Sequence, residues 1–417
     1  MSLKRLSRRA RFLARGVFAL GLAARDRGEG GHAPYFAGMS AALKRAGIAE
    51  PTLVIDRQRL EANIATVRNA LAPTGLGLRV VTKSLQAPAL LDAVLAGCAT
   101  DRLMVFNGLM LDEMVRVHPA FDVLLGRPLP AVQVDAFTRR HGANRCAAAH
   151  PQWLIDSAAR LGQYAAIAQA RGRPMRVSLE IDVGLHRGGL PDVDAVAEVI
   201  ELARAEPLIA VTGLMGYDAH VPGVARPEAE LARVKARYAA ARAVLVARLG
   251  GDPAAYTLNA AGSPTYRLHL DGTPANEVSI GSAFVKPMNF DYGALRGHLA
   301  AAFIAQPVLK VMDQALAPDL ERFAGLISRL NPNSRRGFFA YGGYGDAEPV
   351  SPPGLAFSPL YGGRSMLTGS EKVELGQDDF IFFRPRESEG VFLQFGDLAV
   401  YDGAEIAERW PTFPVAA

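Results

Sequence analysis

Beyond residue 50, short runs of apolar and β-branched residues alternate with longer stretches in which apolar residues recur at helical spacing. The spacing predicts helices over 57–71, with Asp56 as N-cap, over 192–205 and over 227–249. The alternation predicts parallel β–α–β units, because parallel strands need a crossover connection. The strands are expected at 53–55, 78–81, 103–106, 122–125, 153–155, 176–181, 209–216, 256–259 and 278–285.

The final part of the chain has a different texture. After about residue 300, glycine, proline and β-forming residues dominate, as in Gly342-Gly343, Pro352-Pro353 and the apolar run 379–383. This composition predicts a mainly β domain. A chain of 417 residues has room for such a domain beside a (β/α)8 barrel, which takes about 250 residues. Nine expected strands are one more than that barrel needs.

The net charge of +5 is unevenly distributed along the chain. Residues 1–50 contain 10 Lys and Arg against 3 Asp and Glu, a net charge of +7, so the remaining residues carry −2. The basic pI therefore does not indicate a nucleic-acid-binding face. The 2 cysteines, Cys98 and Cys146, form neither a disulfide framework nor a zinc cluster, and they leave the redox compartment open.

The basic N-terminus admits two interpretations. Arginine and lysine residues precede a short apolar run from Gly16 to Ala24, the order found in an export signal, and Ser7-Arg8-Arg9 suggests the twin-arginine type. The protein would then be periplasmic. The alternative is a basic amphipathic helix of a cytoplasmic protein. The run is too short to span a membrane, and no stable membrane span is expected.

Residues suited to chemistry follow most of the expected strands. In a (β/α)8 barrel the catalytic groups gather at the C-terminal ends of the strands. Each match alone is weak, and their common position is the argument. The residues are Lys83 after 78–81, Asn107 after 103–106, Asp182 to Arg187 after 176–181, Tyr217 and His220 after 209–216, Asn259 to Thr265 after 256–259, and Gly281 and Ser282 within 278–285.

Lys83 carries the strongest single signal. A lysine at the exit of a short buried strand is costly to bury without a partner, and a desolvated lysine can form a Schiff base. The alternative is an ordinary surface lysine at a strand end.

Two further segments lie near the same strand ends, and the second of them favours a bound anion. Residues 180–189 read Glu-Ile-Asp-Val-Gly-Leu-His-Arg-Gly-Gly, a glycine-rich turn that carries Arg187. Residues 259–265 read Asn-Ala-Ala-Gly-Ser-Pro-Thr, and their small side chains let backbone N–H groups approach an anion, with hydroxyl donors on Ser263 and Thr265. The alternatives are a surface arginine on a turn and a turn without a ligand.

These segments together resemble the fold-type III, alanine-racemase-like enzymes that use pyridoxal 5'-phosphate (PLP). Residues 182–189 match the Asp-x-Gly-x-x-Arg-x-Gly motif of that family, and residues 213–220, Gly-Leu-Met-Gly-Tyr-Asp-Ala-His, resemble a stretch of its D-threonine aldolase branch. The turn at 259–265 resembles the phosphate cradle of that branch, although Pro264 replaces a glycine and removes one donor. The tail from Tyr361 to Phe413 is of the same broad family of D-threonine aldolases and D-serine dehydratases.

The resemblance implies a fold and a set of roles. It implies an α/β fold, with a basic segment at 1–48 and then a (β/α)8 TIM barrel of the alanine-racemase type at 49–300. A mainly β domain follows at 301–417, and the strand at about 52–56 is expected to join that domain. Lys83 would hold PLP as a Schiff base. The residues expected to bind the cofactor are Lys83, Arg187, Tyr217, Asn259, Gly262, Ser263, Thr265, Gly281 and Ser282; His220 is a candidate acid/base, and a homodimer is expected.

One departure from the family concerns a metal. Related enzymes carry metal ligands after a proline in the last domain, where this chain reads Arg384-Pro385-Arg386-Glu387-Ser388-Glu389. Glu387 and Glu389 stand at the ligand positions and could hold Mg²⁺ or Mn²⁺. The metal-free interpretation is preferred, because zinc favours nitrogen and sulfur ligands.

The function expected from the resemblance is a PLP-dependent lyase, of the aldolase or dehydratase type, acting on D-amino acids with a β-hydroxyl group. An amino-acid racemase is the first alternative, and its second base would be Tyr341, Tyr344 or His220. A PLP-binding protein without turnover is the second alternative, although the extra domain argues against it. An unrelated phosphate-binding barrel is the last.

Overall fold

A computed structural model describes residues 24–141, 151–314, 324–342, 346–358 and 364–414. The chain forms two compact units. One unit comprises residues 1–58, 300–387 and 394–410, and the other comprises 59–299, 388–393 and 411–417. The described part begins with helix α1 (Pro34–Arg45), strand β1 (Thr52–Asp56) and helix α2 (Arg57–Leu71). Asp56, the expected N-cap of α2, is the last residue of β1, and its carboxylate accepts a hydrogen bond from the Tyr35 hydroxyl at 2.6 Å.

The second unit is a closed barrel of eight parallel strands, which confirms the expected fold. Each strand pairs with its neighbour in the sequence, and the last closes on the first, with Gly77 opposite Glu277. The expected strand at 278–285 is too long, because a 3-10 helix at Ser282–Phe284 follows it directly. The strands are β2 (Gly77–Val81), β3 (Arg102–Val105), β4 (Asp122–Leu125), β5 (Gln152–Ile155), β6 (Met175–Glu180), β7 (Ile209–Met215), β8 (Thr257–Ala260) and β9 (Glu277–Ile280).

The helices between the strands turn an apolar face to the barrel. The predicted helices at 192–205 and 227–249 are found at Val193–Arg204 and Pro227–Leu249. Asn107 proves to be an N-cap, since its side chain accepts a hydrogen bond from the Met110 N–H at 2.8 Å. The helices after α2 are α3 (Pro88–Cys98), α4 (Gly108–Val117), α5 (Ala131–Arg140), α6 (Ala158–Arg171), α7 (Val193–Arg204) and α8 (Pro227–Leu249).

A charged cluster fills the barrel interior beneath the strand ends. The Arg79 guanidinium is fully buried and lies 2.5 Å from both Glu277 and Asp122. Burial alone would raise the pKa of the Asp122 carboxyl, but Arg79 and the hydrogen bond from Gln152 hold that pKa below its usual value. The buried charges are therefore paired, as a low-dielectric interior requires.

The first unit is built on a nine-stranded sheet, which agrees with the expected mainly β domain. Strand β1 pairs antiparallel with β10 (Ala302–Met312) and parallel with β16 (Leu398–Tyr401). One face of the sheet is covered by α1, whose Met39, Ala42 and Leu43 pack against Phe303, Phe380 and Phe382. The remaining elements are α9 (Ala324–Leu330), β11 (Arg336–Ala340), β12 (Ala347–Ser351), β13 (Ala356–Phe357), β14 (Met366–Gly369), β15 (Phe380–Pro385) and β17 (Ile406–Trp410).

Residues 1–23, which carry the predicted export signal, lie outside the described residues, as do Cys146 and Tyr344. Among the helices that the structure describes, none is long and apolar enough to cross a membrane.

Candidate active site

Most of the residues singled out in the sequence line one cavity at the C-terminal ends of the barrel strands. We call it the barrel cavity. It is lined by Lys83, Arg187, Tyr217, Asn259, Gly262, Ser263, Gly281, Ser282 and Glu389, together with Ser84, Phe106 and Phe290. Thr265, His220 and Glu387 are not among its lining residues.

Lys83 lies on a single 3-10 turn, Thr82–Ser84, that follows β2. The buried Thr82 hydroxyl fixes this turn by donating a hydrogen bond to the Met104 carbonyl at 2.9 Å. The Lys83 ammonium lies 2.6 Å from the Glu389 carboxylate and 4.5 Å from the centre of the Phe106 ring. Its side chain is 27% exposed. The sequence argument assumed a desolvated lysine, but the ammonium is instead balanced by a carboxylate.

The loop after β6 presents Arg187 to the cavity, and Asp182 organises that loop. One oxygen of the Asp182 carboxylate accepts hydrogen bonds from the backbone N–H groups of Gly184 and His186, at 2.9 and 3.0 Å. Gly189 has a φ of +95°, and a Cβ there would lie 2.9 Å from the backbone of residue 181. Glycine is therefore required where the loop turns back onto its strand.

Arg187 and Tyr217 contact each other at the cavity wall. The guanidinium carbon lies 4.8 Å from the centre of the Tyr217 ring, a cation–π contact that fixes the arginine without a close ion pair. Glu180 is the nearest carboxylate, at 3.9 Å. Burial raises the pKa of Glu180, and burial raises the pKa of Tyr217 to about 12, so the phenol keeps its proton at neutral pH.

Ser263 marks an oxygen site at the floor of the cavity. Its hydroxyl oxygen accepts hydrogen bonds from the backbone N–H groups of Gly281 and Ala283, both at 3.1 Å. Two backbone donors thus converge on one oxygen where a short helix begins, the arrangement that suits an oxygen of a bound phosphate. A Cβ on Gly281 would lie 2.8 Å from the Val81 Cβ, so this approach needs glycine.

Thr265, an expected cofactor ligand, lies inside the protein instead. Its hydroxyl donates to the Asp218 carboxylate at 2.5 Å and accepts from the Gly262 N–H at 3.1 Å. The other Asp218 oxygen lies 2.8 Å from His269 Nε2. All three side chains are buried. This network holds the turn that carries Gly262 and Ser263, so Thr265 supports the cavity from behind.

Asn259 faces the cavity from the end of β8. Its amide donates hydrogen bonds to the buried Glu277 carboxylate and to the Ser279 hydroxyl, both at 2.8 Å. The amide thereby connects the cavity floor to the charged cluster around Arg79.

His220 lies away from the cavity lining. Its Nε2 is 3.1 Å from Glu230, and its buried Nδ1 has no hydrogen-bond partner within the described part of the chain. Tyr341, the other described candidate for a second base, is 40% exposed and belongs to the mainly β unit.

Residues 388–393 belong to the barrel unit although the residues on either side belong to the other unit. The Gln86 amide donates to the Glu389 carbonyl at 2.6 Å, and the Ser388 hydroxyl donates to the Ser282 hydroxyl at 3.0 Å. Within the described ranges, no group of three or more His, Cys, Asp and Glu side chains could hold a metal ion. The Glu389 carboxylate forms an ion pair with Lys83.

Sequence reasoning missed several of these partners. Phe106 directly follows β3, so the rule that singled out Lys83 could have found it. The contact of Glu389 with Lys83, and the network of Asp218 with His269, join residues far apart in the chain, and no local pattern signals them.

Comparisons with known proteins agree with this geometry. The sequence model described as alanine racemase, N-terminal domain, matches residues 55–287. A search of curated proteins found no significant match. The fold is similar to that of D-threonine aldolase from Filomicrobium marinum, with a TM-score of 0.69 and 18% identity over 87% of this chain and 94% of that one.

Two further solved structures share the fold across both units. D-threo-3-hydroxyaspartate dehydratase from Delftia sp. HT23 has a TM-score of 0.67 and 17% identity, covering 88% of this chain and 98% of that one. Alanine racemase from Bacillus anthracis has a TM-score of 0.65 and 11% identity, covering 87% of this chain and 98% of that one. At these identities the similarity establishes the fold.

Proposed function

We propose, from the premise that this chain belongs to the alanine racemase N-terminal domain family of fold-type III PLP enzymes, that it is a PLP-dependent lyase. Its substrates would be D-amino acids with a β-hydroxyl group. The observation that carries the proposal is the convergence of Lys83, Arg187, Tyr217 and the donors around Ser263 on one cavity.

The cavity residues fit the cofactor. Lys83 is the only lysine that lines the described cavity, so it would hold PLP covalently. The N–H groups of Gly281 and Ala283, which now share the Ser263 oxygen, suit the phosphate, with Ser282 beside them. Arg187 and Tyr217 would flank the ring. When bound, PLP accommodates the electron pair left on Cα when a bond to that carbon breaks.

The protein's own groups then direct the reaction. Arg187 presents its guanidinium group to the cavity. Lys83 would also act as the base or acid that moves a proton from or to the substrate Cα. The phenol of Tyr217 stays protonated, because burial raises its pKa to about 12, and it serves as a hydrogen-bond donor.

The solved structures with a similar fold include both lyases and an alanine racemase. The relatives named D-threonine aldolase and D-threo-3-hydroxyaspartate dehydratase have TM-scores of 0.69 and 0.67, and an alanine racemase has 0.65. The difference in TM-score is small. We therefore base the choice of a lyase on the Glu389 carboxylate beside Lys83, which can accept the proton of a substrate β-hydroxyl group.

The first experiment is reductive trapping. The purified protein is mixed with PLP, reduced with borohydride and digested, and the modified peptide is identified by mass spectrometry. The proposal expects a pyridoxyl group on Lys83 and a visible absorption band that reduction removes. The Lys83→Ala variant should lack both. Wild-type protein that carries no pyridoxyl group after reduction, and that shows no visible absorption band with PLP, would refute the proposal.

Product analysis then separates the reaction classes. D-threonine, D-serine and D-alanine are incubated with the PLP-loaded protein. Glycine with acetaldehyde indicates an aldolase, pyruvate with ammonia indicates a dehydratase, and L-alanine indicates a racemase. Labelled protein that converts none of them would support the non-catalytic alternative.

Two further expectations belong to this proposal. We propose a homodimer, by resemblance, and light scattering after gel filtration tests it. We also propose that turnover needs no divalent metal, and dialysis against EDTA followed by addition of Mn²⁺ or Mg²⁺ tests that. His220 stays a predicted acid/base, and its Nε2 lies 3.1 Å from the Glu230 carboxylate.

A further inference from the structure

The barrel cavity holds few groups that can accept a proton. Among its described lining residues, the ionisable side chains are Lys83, Arg187, Tyr217 and Glu389. Arginine keeps its proton, and burial raises the pKa of Tyr217 to about 12. No histidine lines the described cavity. Apart from Lys83, the one remaining base is therefore the Glu389 carboxylate.

Glu389 lies directly beside Lys83. Its carboxylate lies 2.6 Å from Lys83 Nζ, the atom whose position the substrate amino group takes over. In a β-hydroxy amino acid, two carbon atoms separate the amino nitrogen from the hydroxyl oxygen. A carboxylate within hydrogen-bond distance of the first is thus within reach of the second.

The backbone around Glu389 fixes this position within the barrel unit. Its carbonyl accepts a hydrogen bond from the Gln86 amide at 2.6 Å, and Gln86 lies three residues after Lys83 in the chain. The hydroxyl of Ser388 bonds to that of Ser282, and Ser282 bonds in turn to Ser84, both at 3.0 Å. The segment is thereby tied to Gln86 and, through Ser282, to Ser84 on the turn that carries Lys83.

We propose that Glu389 is the catalytic base that takes the proton of the substrate β-hydroxyl, so that the enzyme cleaves Cα–Cβ. This inference rests on the proposed function. It assigns Glu389 a role as proton acceptor in place of a metal ligand, and it narrows the reaction of the proposed lyase to cleavage of the Cα–Cβ bond of substrates such as D-threonine.

The step balances without an added oxidant or co-reactant. The hydroxyl proton passes to Glu389, the O–H electron pair becomes the second bond of the aldehyde C=O, and the Cα–Cβ pair stays on Cα. The Lys83 ammonium returns a proton to Cα, and Glu389 passes its own proton to the Lys83 amine, its ion-pair partner in the ligand-free structure. The products are glycine and an aldehyde.

The test separates cleavage from the earlier chemistry at Cα. The exchange of the D-alanine Cα hydrogen for deuterium is followed by NMR. This exchange needs Lys83, and it cannot depend on a β-hydroxyl group because D-alanine has none. Cleavage of D-threonine needs both groups. Glu389→Gln, Glu389→Asp and the control Glu198→Gln, an exposed glutamate on α7, are loaded with PLP and compared in both assays.

We expect Glu389→Gln to lower kcat/KM for D-threonine by about 100-fold or more, the contribution of a general base. Deuterium exchange and borohydride labelling of Lys83 should change by less than about threefold. Glu389→Asp should restore part of the cleavage, and Glu198→Gln should behave like the wild type.

Four outcomes would overturn the inference. Full cleavage by Glu389→Gln, with cleavage abolished by His220→Gln, would place the base on the histidine. An equal loss of cleavage and exchange would reduce Glu389 to a positioning residue for Lys83. Pyruvate from D-serine without glycine from D-threonine would show a dehydratase, in which the β-hydroxyl leaves and needs an acid to protonate it. Loss of cleavage in EDTA that Mn²⁺ reverses would show that cleavage depends on a metal ion. Wild-type protein without a label on Lys83 would instead refute the proposed function itself.

Discussion

The buried pair of Tyr266 and His298 makes the stability of the barrel unit depend on pH in a way that one substitution can isolate. His298 is 3% exposed. Its Nδ1 lies 3.0 Å from the Ala283 carbonyl and must donate, so Nε2 accepts the hydrogen bond from the Tyr266 hydroxyl at 2.8 Å. The folded protein therefore holds a neutral imidazole.

Burial, aided by the nearby charge of Arg267, lowers the pKa of His298 from 6.5 to about 4. The unfolded chain binds this proton more readily than the folded protein, so the stabilisation is present above pH 6.5 and is lost as the pH falls toward 4. The difference between these two pKa values corresponds to about 3 kcal/mol of free energy of unfolding, of which about 2 kcal/mol is lost between pH 7 and pH 5.

The assay is urea unfolding of the wild type and His298→Gln at several values of pH between 7 and 5. Glutamine cannot titrate, so the variant is less stable at pH 7 but loses less on acidification, and the two stabilities converge by about 2 kcal/mol. Tyr266→Phe keeps the imidazole and should keep most of the acid-dependent loss. Wild-type and His298→Gln curves that run parallel would refute the neutral, buried histidine.

Three other substitutions test the cavity and the charges beneath it. Gly281→Ala would place a Cβ 2.8 Å from that of Val81, so it should cost about 1–3 kcal/mol of stability and weaken PLP binding in an absorbance titration; an unchanged affinity would contradict the tight approach. Ser263→Ala removes the acceptor shared by two backbone N–H groups and should cost the PLP-free protein about 1–3 kcal/mol in thermal unfolding, while Ser263→Thr should cost less. Glu277→Gln leaves the buried Arg79 with an incomplete partner and should cost about 3–5 kcal/mol in urea unfolding, and a loss below about 1 kcal/mol would show that the charge is compensated elsewhere.

The order of elements was readable from the sequence because it depends on local periodicity. All nine expected strands beyond residue 50 exist, and the helices at 57–71, 192–205 and 227–249 begin and end within a residue of the predicted positions. Only the end of β9 was misplaced. Its apolar run continues into the 3-10 helix Ser282–Phe284, and apolar residues alone do not distinguish the two conformations.

The direction of each loop side chain was not readable in the same way. Thr265 and Ser263 lie two residues apart on one turn, yet Ser263 lines the cavity and Thr265 bonds to Asp218 inside the protein. Their hydroxyls are equivalent in the sequence. The fold of the turn decides which one lines the cavity.

The sequence by itself determined the order of the strands and helices, which follows from spacing, and placed Lys83 and Arg187 after two of those strands. The eight-stranded barrel was what the family resemblance implied, and in such a barrel the strands share one C-terminal edge. Only the tertiary structure brought Glu389 to 2.6 Å from Lys83, and Glu277 to 2.5 Å from Arg79. Contacts between residues so distant in the chain depend on how the whole fold closes, and closing the fold is a property that no local stretch encodes.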